Sequence, residues 1–369
     1  MAPPFRIPAR IRDLPAYTPI EPFDVLSERI GKTPEQIIKL DANENPYGMS
    51  PNIRKTLANL RFGHIYPDPE NRRLRKALVP FCGAPFENIL PSAGADELID
   101  LIMRVTLDVG DVILNCPPTF GMYSFDGDLN GARVIDIPRN EEFMINLPAI
   151  IEAIQQYHPK LIFLTSPNNP DGSLLPLHDI EKILDYPVLV VLDEAYIEFA
   201  DPENLGKKIS MVSLVPSREN LVILRTFSKL AGLAGLRVGY GVFPLWLMEI
   251  LWKAKQPYNV NVAASEAAIT ALEDIAYLHK TVSLLVKERE RLMSELRTIP
   301  SLSPYPSESN FILCRVTSAD ARQIKENLAD HHGIFIRYFN KPGLTDCIRI
   351  SVGTPEQNNI LLAALRQIV

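Results

Sequence analysis

The run VLVVLD, residues 188–193, is apolar at five consecutive positions and then stops on a carboxylate. Unbroken runs of this kind, with no polar alternation, belong to strands covered on both faces in a parallel-type sheet. They recur as VILN (112–115), RVIDI (133–137), LIFLT (161–165), LVILR (221–225) and RVGYGVF (237–243). Helical stretches such as DELIDLIMRVTL (96–107), apolar near the 3.6 period, separate them. Residues 45–265 therefore predict a three-layer α/β/α large domain with a mostly parallel sheet.

Beyond residue 265 the pattern changes. AYLHKTVSLLVKERERLMSELRTI (276–299) reads as one long amphipathic helix. NFILCRV (310–316), GIFIRYF (333–339) and CIRISVG (347–353) read as strands, with SADARQIKENLADHH as a helix between the first two. Residues 266–369 thus predict a small α+β domain, joined by an N-terminal arm (1–44) that is extended apart from a short helix around Val25 to Ile30. A chain of 369 residues is long enough for both units.

The composition excludes several function classes. A net charge of -6 does not suit a nucleic-acid surface, which needs a basic stripe. No run of 18 apolar residues appears, so no membrane span is expected. Cys82, Cys116, Cys314 and Cys347 are scattered without a C-x-x-C pair, against disulfide staples or a zinc site and in favour of a reducing compartment. The opening MAPPFRIPARIRDLPAY is basic but Pro-rich, unlike a secretory signal or an amphipathic transit peptide. A cytoplasmic protein is expected.

Ligands of open α/β sheets collect at the carboxyl ends of the strands. Asp193 ends VLVVLD, and Tyr196 follows three residues later. LIFLTSPNNPDGS ends in Asn168, Asn169 and a Pro-Asp-Gly turn, and LVILRTFSK ends in Ser228 and Lys229. SAGADELIDLI opens a helix at Asp96, where free backbone N–H groups suit a phosphate. Each piece taken singly also reads as a cap, a turn or a snorkelling lysine. Pyridoxal phosphate uses all four together: a lysine for a Schiff base, a carboxylate for the ring nitrogen, donors to the phenolate oxygen and an anion cradle. Lys229, set among small apolar residues in RTFSKLAGLAGLRVGY, has its charged form disfavoured and gains nucleophilicity. Arg237, eight positions on, then has the cofactor phosphate as its partner.

LDANENPYG, YPDPENRRLRKAL, GADELIDL, PPTFGMY, SPNNPDG, DEAYIEF, TFSKLAGLAGLRVGY and CIRISVGTPEQN together span nearly the whole chain. Through them it resembles the fold-type I aminotransferases, and within that group it is similar to the histidinol-phosphate aminotransferase family. The resemblance implies that Lys229 carries the cofactor and moves protons, that Asp193 pairs with the ring nitrogen, and that Asn169 and Tyr196 donate to the phenolate oxygen. It implies Phe120 on the ring face and Ala95, Asp96, Ser228 and Arg237 around the phosphate. Tyr66 would reach that phosphate from a partner subunit, which implies a homodimer with shared active sites. Asn45 would lie in a substrate-proximal turn. Arg349 would fork onto the substrate α-carboxylate, and Arg337 would take the phosphate of histidinol phosphate.

The usual NPTG turn of the family reads NPDG here, with Asp171 able to cap as Thr does. Tyr17 and Phe23 are both candidates for the arm residue that closes the substrate pocket. The expected reaction is exchange of the amino group of histidinol phosphate with 2-oxoglutarate. An aromatic amino acid aminotransferase and a threonine-phosphate decarboxylase are alternatives on the same fold. A cofactor-bearing binding protein without catalysis is disfavoured by the presence of Lys229, Asp193 and Arg349.

Overall fold

A computed structural model of the chain describes residues 7–14 and 21–369. Its strands are β1 (Ile38–Leu40), β2 (Ile89–Ser92), β3 (Val112–Asn115), β4 (Arg133–Asp136), β5 (Leu161–Thr165), β6 (Leu189–Asp193), β7 (Leu221–Thr226), β8 (Gly239–Val242), β9 (Leu302–Pro304), β10 (Phe311–Val316), β11 (Ile334–Tyr338) and β12 (Cys347–Ser351). They form a seven-stranded sheet in the order β2-β8-β7-β6-β5-β3-β4 and a five-stranded sheet in the order β1-β11-β12-β10-β9.

The large sheet is parallel from β4 through β7, and β5, β6 and β7 are buried at every position. Their apolar runs thus face helices on both sides, as the missing alternation requires. β8 differs, running antiparallel to both β7 and β2. RVGYGVF yields only four strand residues, because Arg237 is left-handed at φ 52. Its glycines admit close packing: a Cβ on Gly239 would stand 2.8 Å from the Arg225 carbonyl oxygen, and one on Gly241 would stand 3.0 Å from Leu98 of the helix Ala95–Thr106.

The described part of the arm holds more than one short helix. It carries the helices Ala9–Arg12 and Phe23–Ile30, and β1 adds to the small sheet parallel to β11 with Ile38 opposite Ile334. The expected helix over SADARQIKENLADHH is α-helical only over Ala321–Asn327 and widens into a π turn over Leu328–His332. The helix Ile275–Leu296 serves both cores. Leu278, Val282 and Leu285 pack with the large-sheet core, while Leu292, Met293 and Leu296 pack under the small sheet. The expected boundary after residue 265 falls inside the helix Val262–Glu273, whose Ala264, Ala267, Ala268 and Ala271 belong to the large core. Among the described residues, no helix is long and apolar enough to cross a membrane.

Candidate active site

Asp193 is the last residue of β6, opposite Thr165 of β5 and Leu224 of β7, and is 5% exposed. Its Oδ1 accepts the Ala195 N–H at 3.0 Å, and its Oδ2 accepts the Tyr123 hydroxyl at 2.7 Å. Burial pushes its carboxyl up to about 6, against the pull of those two hydrogen bonds. A buried carboxylate with only neutral donors is held for want of a cation, which a protonated ring nitrogen would supply.

Lys229 follows β7 on the short helix Phe227–Leu230, its Nζ donating to the Ala42 carbonyl at 2.9 Å. Burial, and next the charge of Arg349, lower its ammonium to about 8, against the opposing pull of Glu44 and Asp96. The free amine therefore accumulates as pH rises through about 8, well below the range of an exposed lysine. Recapture of pyridoxal phosphate by the apoprotein is expected to accelerate up to about pH 8 and then level off, as followed by stopped-flow absorbance. A rate still climbing steeply at about pH 10, as for an unperturbed lysine, would show that the attacking amine is another one.

The phosphate cradle forms where three segments meet. The helix Ala95–Thr106 begins after Gly94, at φ 88, without a side-chain cap. Arg237 crosses this end, with Nη2 on the Asp96 carboxylate at 3.0 Å and Nη1 on the Ser228 hydroxyl at 3.4 Å. Any Cβ on Gly94 would lie 2.5 Å from Arg237 Nη2, so a side chain there would fill the space that Arg237 and the helix end enclose. A buried carboxylate, an amine of lowered basicity and an anion cradle on neighbouring strand ends fit pyridoxal phosphate.

The small sheet supplies two further cations to the site. Arg337 on β11 stands directly opposite Arg349 on β12. Arg349 donates from Nη2 to the Asp41 carbonyl at 2.8 Å and from Nη1 to Asn169 Oδ1, and lies over the rings of Phe311 and Phe339. The two arginines, Lys229, Tyr196, Asn169 and Phe120 line one cavity of about 920 Å³ between the sheets.

A family model for aminotransferase classes I and II matches residues 35–365. The chain belongs to that family. It is 54% identical over 358 residues, 97% of this chain and 84% of the relative, to "Histidinol-phosphate aminotransferase 1, chloroplastic" of Arabidopsis thaliana. It is 51% identical to the histidinol-phosphate aminotransferase of Roseiflexus castenholzii, covering 97% of this chain and 96% of the relative. The crystal structure of histidinol-phosphate aminotransferase from Sinorhizobium meliloti in complex with pyridoxal-5'-phosphate superposes with a TM-score of 0.88 at 27% identity, over 100% of this chain and 98% of the other. The fold is that of the fold-type I enzymes, and the aminotransferase family is pyridoxal-phosphate-dependent.

Among the expected residues, Asn45 is placed differently from the others, and Tyr66 lies where a residue offered to a partner subunit would. Asn45 does not line the cavity: its Nδ2 donates to the Leu230 carbonyl at 3.1 Å and its Oδ1 accepts the Tyr47 N–H at 3.0 Å. The residue in that turn that faces the site is Asn43, at φ 55, whose Nδ2 donates to the Tyr196 hydroxyl at 3.0 Å. Only the backbone course of the turn separates the two asparagines, and the residue types do not reveal it. Tyr66 is 80% exposed, stacks on Tyr258 and stands away from this chain's cavity. Phe23 opens a helix and lines a neighbouring cleft with Asn45 and Ser228, while Tyr17 lies outside the described residues. Asp171 caps its own turn, accepting the Ser173 N–H at 2.8 Å and the Asn168 amide. Tyr123 went unassigned in the reading of PPTFGMY, although it is fully buried against Asp193. So did Arg225, a buried guanidinium beside Glu194 at 3.4 Å and Glu198 at 3.8 Å, which ties down the end of β7 below Lys229.

Proposed function

We propose that this chain exchanges the amino group of L-histidinol phosphate with 2-oxoglutarate, giving imidazole-acetol phosphate and L-glutamate in histidine biosynthesis. The observation that carries the reading is the facing pair Arg337 and Arg349 in the cavity that also holds Lys229. An amino acid needs one guanidinium for its α-carboxylate, whereas a substrate with a second anionic end uses both. Relatives at 44 to 54% identity that carry the name histidinol-phosphate aminotransferase support it.

When bound, pyridoxal phosphate supplies an electron sink for the carbanion at the substrate α-carbon. The chain's own residues do the rest. Lys229 would hold the cofactor through Nζ and, once the substrate amine has displaced it, the freed Nζ would carry the α-proton in the 1,3-shift. Asp193 would hold the ring-nitrogen proton, and Asn169 and Tyr196 would donate to the phenolate oxygen. Phe120 would pack on the ring face, and Ala95, Asp96, Ser228 and Arg237 would enclose the phosphate. Arg349 turns its fork to the α-carboxylate, and Arg337 takes the far phosphate. The large-sheet unit, which takes in the helix Val262–Glu273, forms the cofactor domain, and the small sheet with the arm brings in Arg337 and Arg349. Tyr66, exposed in one chain, serves a second copy in a homodimer, and the setting is cytoplasmic.

Arg337→Leu tests the substrate assignment. A charge-assisted contact to phosphate contributes about 1.5–3 kcal/mol, so kcat/KM for histidinol phosphate falls roughly 10- to 150-fold. Glutamate also suffers, because its side-chain carboxylate occupies the same place, while phenylalanine is nearly unaffected or improves. Equal losses for histidinol phosphate and phenylalanine would make Arg337 structural and move the aromatic aminotransferase reading ahead. A panel on the wild type completes the test, and carbon dioxide release from threonine phosphate would indicate the decarboxylase.

A further inference from the structure

Among the described residues, Tyr123 is the one side-chain hydroxyl that touches Asp193, and the reaction outlined above does not use it. It sits on the helix Met122–Asn130, with no exposure, its ring stacked 4.9 Å from Phe163 and edge-on to Phe120 at 5.6 Å. Its hydroxyl lies 2.7 Å from Asp193 Oδ2 and 2.8 Å from Thr165 Oγ1. A carboxylate can only accept, so the tyrosine proton points to Asp193, and in the contact between Tyr123 and Thr165 it is Thr165 that donates; the Thr165 hydroxyl also lies 3.3 Å from Thr119 Oγ1. Thr119 directs its own proton to Asn168 Oδ1 at 2.9 Å, and the Asn168 amide reaches Asp171. The loop carrying the Pro-Asp-Gly turn is thereby joined through side chains to the neighbourhood of the buried carboxylate.

We propose that Tyr123, oriented by Thr165, is a positioning residue whose hydrogen bond keeps Asp193 anionic and so keeps the shared proton on the cofactor ring nitrogen. The inference rests on the cofactor reading of the site. Ring nitrogen and carboxylate share one proton, and the pair has the same net charge whichever partner holds it. A donor to the carboxylate oxygen favours the ionised acid and leaves the proton on nitrogen. Without that donor, a carboxyl in a dry site takes the proton back, and the ring loses its power to accept electrons. Burial, and next the charge of Asp193, hold the Tyr123 phenol well above its ordinary range, so it stays a donor at any working pH.

The test is nitrogen-15 NMR of holoenzyme reconstituted with ring-labelled pyridoxal phosphate, at neutral pH. Tyr123→Phe keeps the ring and its stacking on Phe163. The labelled nitrogen is expected at the protonated shift in the wild type and displaced toward the unprotonated shift in the variant, with the glutamate half-reaction slowed roughly 10-fold, the scale of one hydrogen bond to a charged group. Thr165→Val, which removes only the hydroxyl that orients the tyrosine proton, moves the shift part-way and serves if the first variant does not fold. An unchanged shift in the folded variants overturns the proposal and leaves the cofactor reading intact. An unprotonated nitrogen in the wild type overturns both Asp193's role and this one.

Discussion

Lys229→Ala abolishes transamination, with a loss on the order of 10⁴-fold, the upper range for a positioned acid–base group, while the chain folds as before. The lysine is the amine that the strand-end geometry presents to the cavity, with Nζ against the Ala42 carbonyl and the charge of Arg349 nearby. Its lowered pKa means that folding disfavours the charged form, so its loss removes a cost of the folded state rather than a support. The apoprotein Tm therefore holds steady or rises, which separates a chemical defect from unfolding. Borohydride reduction of the wild type followed by peptide mapping places the pyridoxyl group on Lys229. A label on any other lysine removes the basis of the site.

Asp193→Asn is the second large effect, and its signature is a split between binding and rate. A neutral amide cannot hold the ring-nitrogen proton, so half-reaction rates drop about 10²- to 10³-fold, the range for loss of one preorganised electrostatic contact. Cofactor affinity falls far less, because Lys229 and the cradle of Ser228, Arg237 and the helix end are untouched. Stability changes little. The amide oxygen still accepts the Ala195 N–H, and the Tyr123 hydroxyl, facing an NH₂ group, turns its proton to Thr165 instead. Single-turnover absorbance with glutamate reads the rate, and fluorescence titration of the apoprotein reads the affinity. Rates within about twofold of wild type, roughly 0.4 kcal/mol on the barrier, would mean that the carboxylate is not at the ring nitrogen.

Both predictions rest on short stretches of sequence because the candidate residues sit at strand ends. A buried strand announces itself by an apolar run, and the first polar residue after it is placed by the same run. VLVVLD positions Asp193, LVILRTFSK positions Lys229, and SAGADE opens an uncapped helix. In each case a few consecutive residues carry both the element and its terminus, so local pattern sufficed. Roles that depend on the pairing of distant segments were another matter. Asn43 and Asn45 are two residues apart in one turn, and only the left-handed backbone at Asn43 sends its amide to Tyr196 while Asn45 turns to Leu230.

The sequence by itself determined the parallel core strands β3 and β5 to β7, the helices that separate them, and the residue types gathered at their carboxyl ends, because strands buried on both faces read as unbroken apolar runs and helices as a 3.6-residue period. Tertiary structure alone decided the antiparallel insertion of β8 beside β2, where Gly239 and Gly241 let backbone and helix approach. It also decided the union of β1 with the small sheet, the register that sets Arg337 across from Arg349, and the burial of Tyr123 on Asp193, 70 residues away in the chain. These are contacts between segments far apart in the chain. Their partners are chosen by packing and by the hydrogen-bonding needs of buried polar groups, which no local period records.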